Sequence, residues 1–116
     1  MPAPAATGWS VVLAALVLAA SWLAFTPLPP AEVDTGWDKA NHALAFAVLA
    51  LCARRAFPAA GLAPLAAAGL AFGGFIEVVQ LGVPGRFAEW SDLTGDAIGL
   101  LIGFALDALA ARLRRR

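Results

Sequence analysis

Ionisable and amide side chains gather in the stretch FIEVVQLGVPGRFAEWSDLTGDAIGLLIG, residues 75 to 103, where Glu77, Gln80, Arg86, Glu89, Asp92 and Asp96 lie between two long apolar runs. Earlier in the chain, Asp38, Lys39 and His42 open another apolar run. Carboxylates and imidazole exchange protons near neutral pH, and a neighbouring Lys or Arg can stabilise developing negative charge. The candidates for acid–base work are therefore His42, Glu77 and Asp96, and those for binding are Asp38, Lys39, His42, Glu77, Gln80, Arg86, Asp92 and Asp96. A metal centre drawn from His42, Glu77, Asp92 or Asp96 is conceivable by ligand type. No compact spacing such as His-Glu-x-x-His supports one, so neither a metal nor another cofactor is expected. Nucleophile-elbow, phosphate-loop and paired-cysteine motifs are absent, and the single Cys52 sits in an apolar run where it can simply pack.

The elements that must position these groups follow from composition. Of 116 residues, 61% are hydrophobic and 14% charged, against about a quarter charged in a soluble domain, so the expected solvent is a bilayer. Four apolar runs, about 9–26, 38–56, 61–81 and 92–112, predict an all-α, four-helix transmembrane bundle occupying 1–116 as one membrane domain. Pro27, Pro29 and Pro30 close the first run, which lacks a preceding Lys or Arg and exceeds a signal-peptide h-region, so an uncleaved anchor is expected. Asp38 and the pair Arg54 and Arg55 suit the two dipole ends of the second helix; Pro64 suits the first turn of the third, and Ser91 is expected to cap the fourth. Six of eight basic residues lie in the connection after helix two or in the tail, which predicts that both termini are cytoplasmic. Trp37 and Trp90 then belong to the outer interface and Trp9 to the inner one. The arginine tail is too short for a nucleic-acid arm, and no nucleic-acid partner is expected.

Depth follows from helix geometry. His42, Glu77 and Asp96 each lie four residues inside a helix end, roughly 6 Å along the axis, which puts them at one level near the outer face. Gly69, Gly73 and Glu77 follow at i, i+4, as do Gly95, Gly99 and Gly103. Such grooves predict direct packing of helices three and four, with Glu77 near Asp96. The alternative to a functional cluster is an interhelical hydrogen-bond network that only specifies packing. Arg86 could grip an anionic group such as a phosphate or pair with Glu89 or Asp92, and Asp107 is expected to be solvated or paired with Arg112.

DKANHALAF (38–46) together with GGFIEVVQLGVPGRFAEWSDLTGDAIGLLIG (73–103) resembles the VanZ-like family of small bacterial membrane proteins. The family pattern is an Asp-Lys-x-x-His helix start, a Glu-x-x-Gln helix end, a Pro-Gly-Arg loop and an Asp-x-x-x-Asn helix start followed by glycines. Its positions fall here on Asp38, Lys39, His42, Glu77, Gln80, Arg86, Asp92 and, with Asp replacing the usual Asn, Asp96. A hydrogen-bond acceptor role survives that replacement, while a role requiring a neutral amide does not. The resemblance implies a protein of the bacterial cytoplasmic membrane. Its namesake is linked to low-level resistance to the glycopeptide teicoplanin, and most similar proteins have no assigned activity. The expected partners are membrane lipids and a lipid-linked envelope precursor or a glycopeptide, bound or modified at an outward-facing polar pocket. The competing expectations are a membrane enzyme with Glu77 or His42 as acid or base, and a structural subunit without catalysis. A transporter fits less well, because four short spans would have to oligomerise to enclose a path.

Overall fold

The computed structural model describes residues 4–27, 38–86 and 88–115; Trp37 and the side chain of Asp38 lie outside this description. The described residues form four helices and no strand: α1 (Pro4–Phe25), α2 (Asp38–Ala56), α3 (Leu62–Gln80) and α4 (Asp92–Arg114). α1 begins at Pro4 rather than near residue 9, because a proline is tolerated in a first turn, where its missing N–H would have no helical partner anyway. Three helices, α1, α3 and α4, are long and apolar enough to cross a membrane. α2 carries Asp38, Lys39, Arg54 and Arg55 toward its ends and is not among those three.

Burial is inverted relative to a water-soluble protein. Leu18 and Leu101 are 71% and 69% exposed, whereas Glu77, Asp92 and Asp96 are at most 1% exposed. In a soluble fold such carboxylates stay at the surface; in a bilayer the apolar side chains face lipid and the polar ones turn inward. Phe46, Leu49, Ala50, Ile76 and Leu100 form the buried centre, with Phe72 against Phe46 at a ring distance of 6.0 Å.

α2 is the hub. It packs most extensively on α4, and also on α1 and α3. The glycine stripe of α4 explains the close α2–α4 approach: Gly95, Gly99 and Gly103 meet the carbonyl oxygens of Lys39, Ala43 and Ala47 on α2. A Cβ at Gly99 or Gly103 would collide with those backbone atoms. The expected α3–α4 contact exists through Gly73, against the Asp96 carboxylate, and Gly69, against Leu100. The α4 glycines, however, serve α2 and not α3, since the small residues Ala43, Ala47 and Ala50 offer α4 a matching surface.

Two other expectations are corrected. Ser91 provides no side-chain cap to α4, and its hydroxyl donates to Glu89 instead. Asp107 is buried and does not pair with Arg112: its carboxylate takes Arg55 Nε at 2.9 Å and lies 3.7 Å from Arg54 Nε. Parallel packing of α2 and α4, which sets Lys39, Ala43 and Ala47 against Gly95, Gly99 and Gly103, also brings the last turn of α2 beside Asp107, and burial makes that long-range partner necessary.

Candidate functional site

The site is assembled from three helix ends. The α2 start delivers Lys39 and His42, the α3 end Glu77 and Gln80, and the α4 start Asp92 and Asp96. His42 stacks on Phe46, one turn further along α2, with rings parallel and centroids 6.5 Å apart. Its Nδ1 lies 2.7 Å from Asp96 Oδ1. With Asp96 as a carboxylate that only accepts, Nδ1 would carry the proton in that bond, and the contact turns Nε2 elsewhere. Nε2 stands 4.0 Å from Glu77 Oε1 and 3.8 Å from Asp92 Oδ2.

Each of those two carboxylates is held from its far side. The backbone N–H of Glu89 donates to Glu77 Oε2 at 3.0 Å, and Lys39 Nζ donates to Asp92 Oδ1 at 3.2 Å. Lys39 also donates to Glu89 Oε2 at 3.1 Å. This ammonium, more than the Ser91 hydroxyl, holds the Glu89 carboxyl below its ordinary value. The inner oxygens, Glu77 Oε1, Asp92 Oδ2 and Asp96 Oδ2, are buried with no hydrogen-bond partner among the described residues. Orphaned buried oxygens are uncommon in native proteins and call for a proton, a cation or a ligand donor.

The sequence candidates therefore divide. Lys39, His42, Glu77, Asp92 and Asp96 converge on one point, while Gln80 and Arg86 turn toward the end of α1. Gln80 Nε2 donates to the Ala24 carbonyl at 3.0 Å; Arg86 donates through Nε to Thr26 at 2.8 Å and through Nη2 to Leu23. Of the two expectations for Arg86, the pair with Glu89 or Asp92 is thus replaced by bonds to carbonyls that the helix end leaves unsatisfied. The loop explains this aim. Pro84 is followed by Gly85 at φ 80°, and Arg86 N–H closes on the Val83 carbonyl at 3.2 Å. Proline before a positive-φ glycine suits such a turn, which swings Arg86 back over α1. Glu89, outside the binding set that the sequence suggests, touches both Lys39 and Glu77; its place three residues before Asp92 is the signal that the sequence offers for it.

A cavity of about 390 Å³ adjoins this cluster. Leu16, Ala20 and Leu23 of α1, Leu44, Val48 and Leu49 of α2 and Ile76 of α3 give it apolar walls, and Asn41, His42, Gln80 and Arg86 give it a polar end. His42 belongs to both cavity and cluster. Together they can place an apolar chain beside an imidazole whose orientation is set by Asp96. His42, Glu77 and Asp92 also present possible metal-ligating atoms within 4.8 Å of one another, although they are scattered along the sequence.

A family model described as VanZ/LLP1 matches residues 10–111. No curated protein matches, nor does any solved structure.

Proposed function

The chain belongs to the VanZ-like family, and on that basis we propose that its groove and carboxylate cluster form one site for a lipid-linked or anionic component of the bacterial cell envelope. In this reading all four helices cross the cytoplasmic membrane, both termini are cytoplasmic, and the cluster opens near the outer leaflet. The carrying observation is the shared position of His42, which lines an apolar cavity of about 390 Å³ and contacts the buried Asp96 carboxylate at 2.7 Å. An amphipathic molecule would lay its chain along α1 and α2 and bring its head group to His42, Gln80 and Arg86. Binding or modifying such a component would alter susceptibility to glycopeptides of the teicoplanin type.

A second reading, a membrane-embedded enzyme, is favoured by the Asp96–His42 pair itself. A carboxylate that orients imidazole and supports its protonated form is a common acid–base device. Glu77 would be the neighbouring carboxylate in that chemistry.

The experiment compares lipids and envelope precursors, and teicoplanin susceptibility, in cells expressing wild type, His42→Ala or Glu77→Gln at equal levels. A species that changes with wild type and reverts in both variants supports the site. Unchanged envelope composition and susceptibility, with folded and abundant proteins, rejects it.

A further inference from the structure

His42, Glu77 and Asp92 come from three different helices, yet each holds one atom outward and turns another toward a common point. His42 engages Asp96 through Nδ1, which turns Nε2 inward. Glu77 Oε2 is held by the Glu89 N–H and Asp92 Oδ1 by Lys39, which leaves Oε1 and Oδ2 on the inner side. Those two oxygens are buried and orphaned. Their distances from Nε2, 4.0 and 3.8 Å, are too long for hydrogen bonds. Among the described residues, Lys39 and His42 bring the cationic or protonatable nitrogens to the ion pairs with the carboxyl groups of Glu77, Glu89, Asp92 and Asp96. Three of those four carboxyl groups, Glu77, Asp92 and Asp96, are buried, where an uncompensated charge or an unpaired oxygen is costly.

We infer that His42 Nε2, Glu77 Oε1 and Asp92 Oδ2 bind one divalent transition-metal ion, with Asp96 as the residue that positions the imidazole. The donor set selects the class of ion. One imidazole with two carboxylates suits zinc or manganese, whereas calcium and magnesium prefer oxygen alone. A tetrahedral shell with bonds of about 2.1 Å has edges of about 3.4 Å, whereas the three ligand atoms lie within 4.8 Å of one another, so they need to draw together by up to about 1.4 Å. Asp96 behind the imidazole repeats the carboxylate–histidine–metal arrangement that fixes the ring and raises its basicity. This site stands on its own geometry, whatever molecule occupies the adjoining groove.

The test uses the full chain in detergent, stripped with a chelator and then dialysed against Mn²⁺ or Zn²⁺. Wild type should retain about one ion per chain, and Glu77→Gln or Asp92→Asn should lower the affinity by about tenfold or more. Asp96→Ala should weaken binding by about 10- to 100-fold, while Asp96→Asn, whose amide oxygen still accepts from Nδ1, should recover most of it. Because a variant in this cluster can fail to fold, wild-type protein labelled with ¹⁵N-histidine provides an independent reading: bound Mn²⁺ should show magnetic coupling to the single histidine of the chain. Absence of binding by wild type, binding without that coupling, or undiminished binding by folded variants would overturn the assignment.

Discussion

His42 Nδ1 and Asp96 Oδ1 meet 2.7 Å apart across the α2–α4 interface, which joins a helix that lines the groove to the helix that carries the buried Asp92 and Asp96. The contact orients the imidazole and leaves Nε2 facing Glu77 and Asp92. Since the chain has one histidine, its ¹⁵N spectrum is unambiguous. At neutral pH the proton should reside on Nδ1, and Asp96→Ala should abolish that preference while Asp96→Asn keeps it. A proton on Nε2 in wild type would contradict the geometry.

The α2–α4 approach depends on the absence of side chains at Gly99 and Gly103, whose Cβ positions fall on the carbonyls of Ala43 and Ala47. Gly99→Ala should destabilise the bundle by about 1–3 kcal/mol through overpacking. Gly74, with no atom within 4 Å of an added Cβ, is the control. There alanine should be neutral, or stabilising by up to about 1 kcal/mol through helix propensity. Thermal unfolding in detergent checks both, and equal effects at the two positions would contradict the packing described.

Arg86 ties the Pro84–Gly85 turn to the end of α1 through two carbonyl oxygens. Lysine cannot reproduce that fork, so Arg86→Lys should cost nearly as much as Arg86→Ala, about 1–3 kcal/mol. A lysine variant as stable as wild type, measured by the same unfolding assay, would show that charge rather than geometry matters there.

The Glu89 carboxyl lies outside the helices, and Lys39 holds it below its ordinary value of 4.5. A depressed folded-state value means that its stabilisation is present above about pH 4.5 and fades as pH falls through the lower, folded value. Glu89→Gln should therefore leave a shallower loss of stability below that pH, and the change should be small because the pair is exposed. Melting curves collected across the acid range test the sign; a steeper acid loss in the variant would contradict it.

Much of this arrangement is legible in sequence because helix ends set depth. Apolar runs bounded by proline and glycine locate the helices, and four-residue offsets place His42, Glu77 and Asp96 at one level. Partner choice is less accessible. Gly95, Gly99 and Gly103 announce a groove but not its occupant, and the alanines of α2 fill it as readily as the glycines of α3 would. Arg86 looks equally suited to an anion or a carboxylate, since backbone carbonyls at the end of α1 leave no motif. Asp107 finds Arg55 only because α2 and α4 run side by side. The inward convergence of His42, Glu77 and Asp92 likewise has no local spacing, as each comes from a different helix.

The groove and the polar cluster are proposed to form one site for an envelope lipid. Its most direct measurement is mass spectrometry of the lipids retained by purified wild type, by Ala20→Trp, which fills the groove, and by His42→Ala, which removes its polar end. A specific lipid retained by wild type and lost from both folded variants is the predicted result. Retention of the same lipids in the same amounts by all three proteins would contradict the claim.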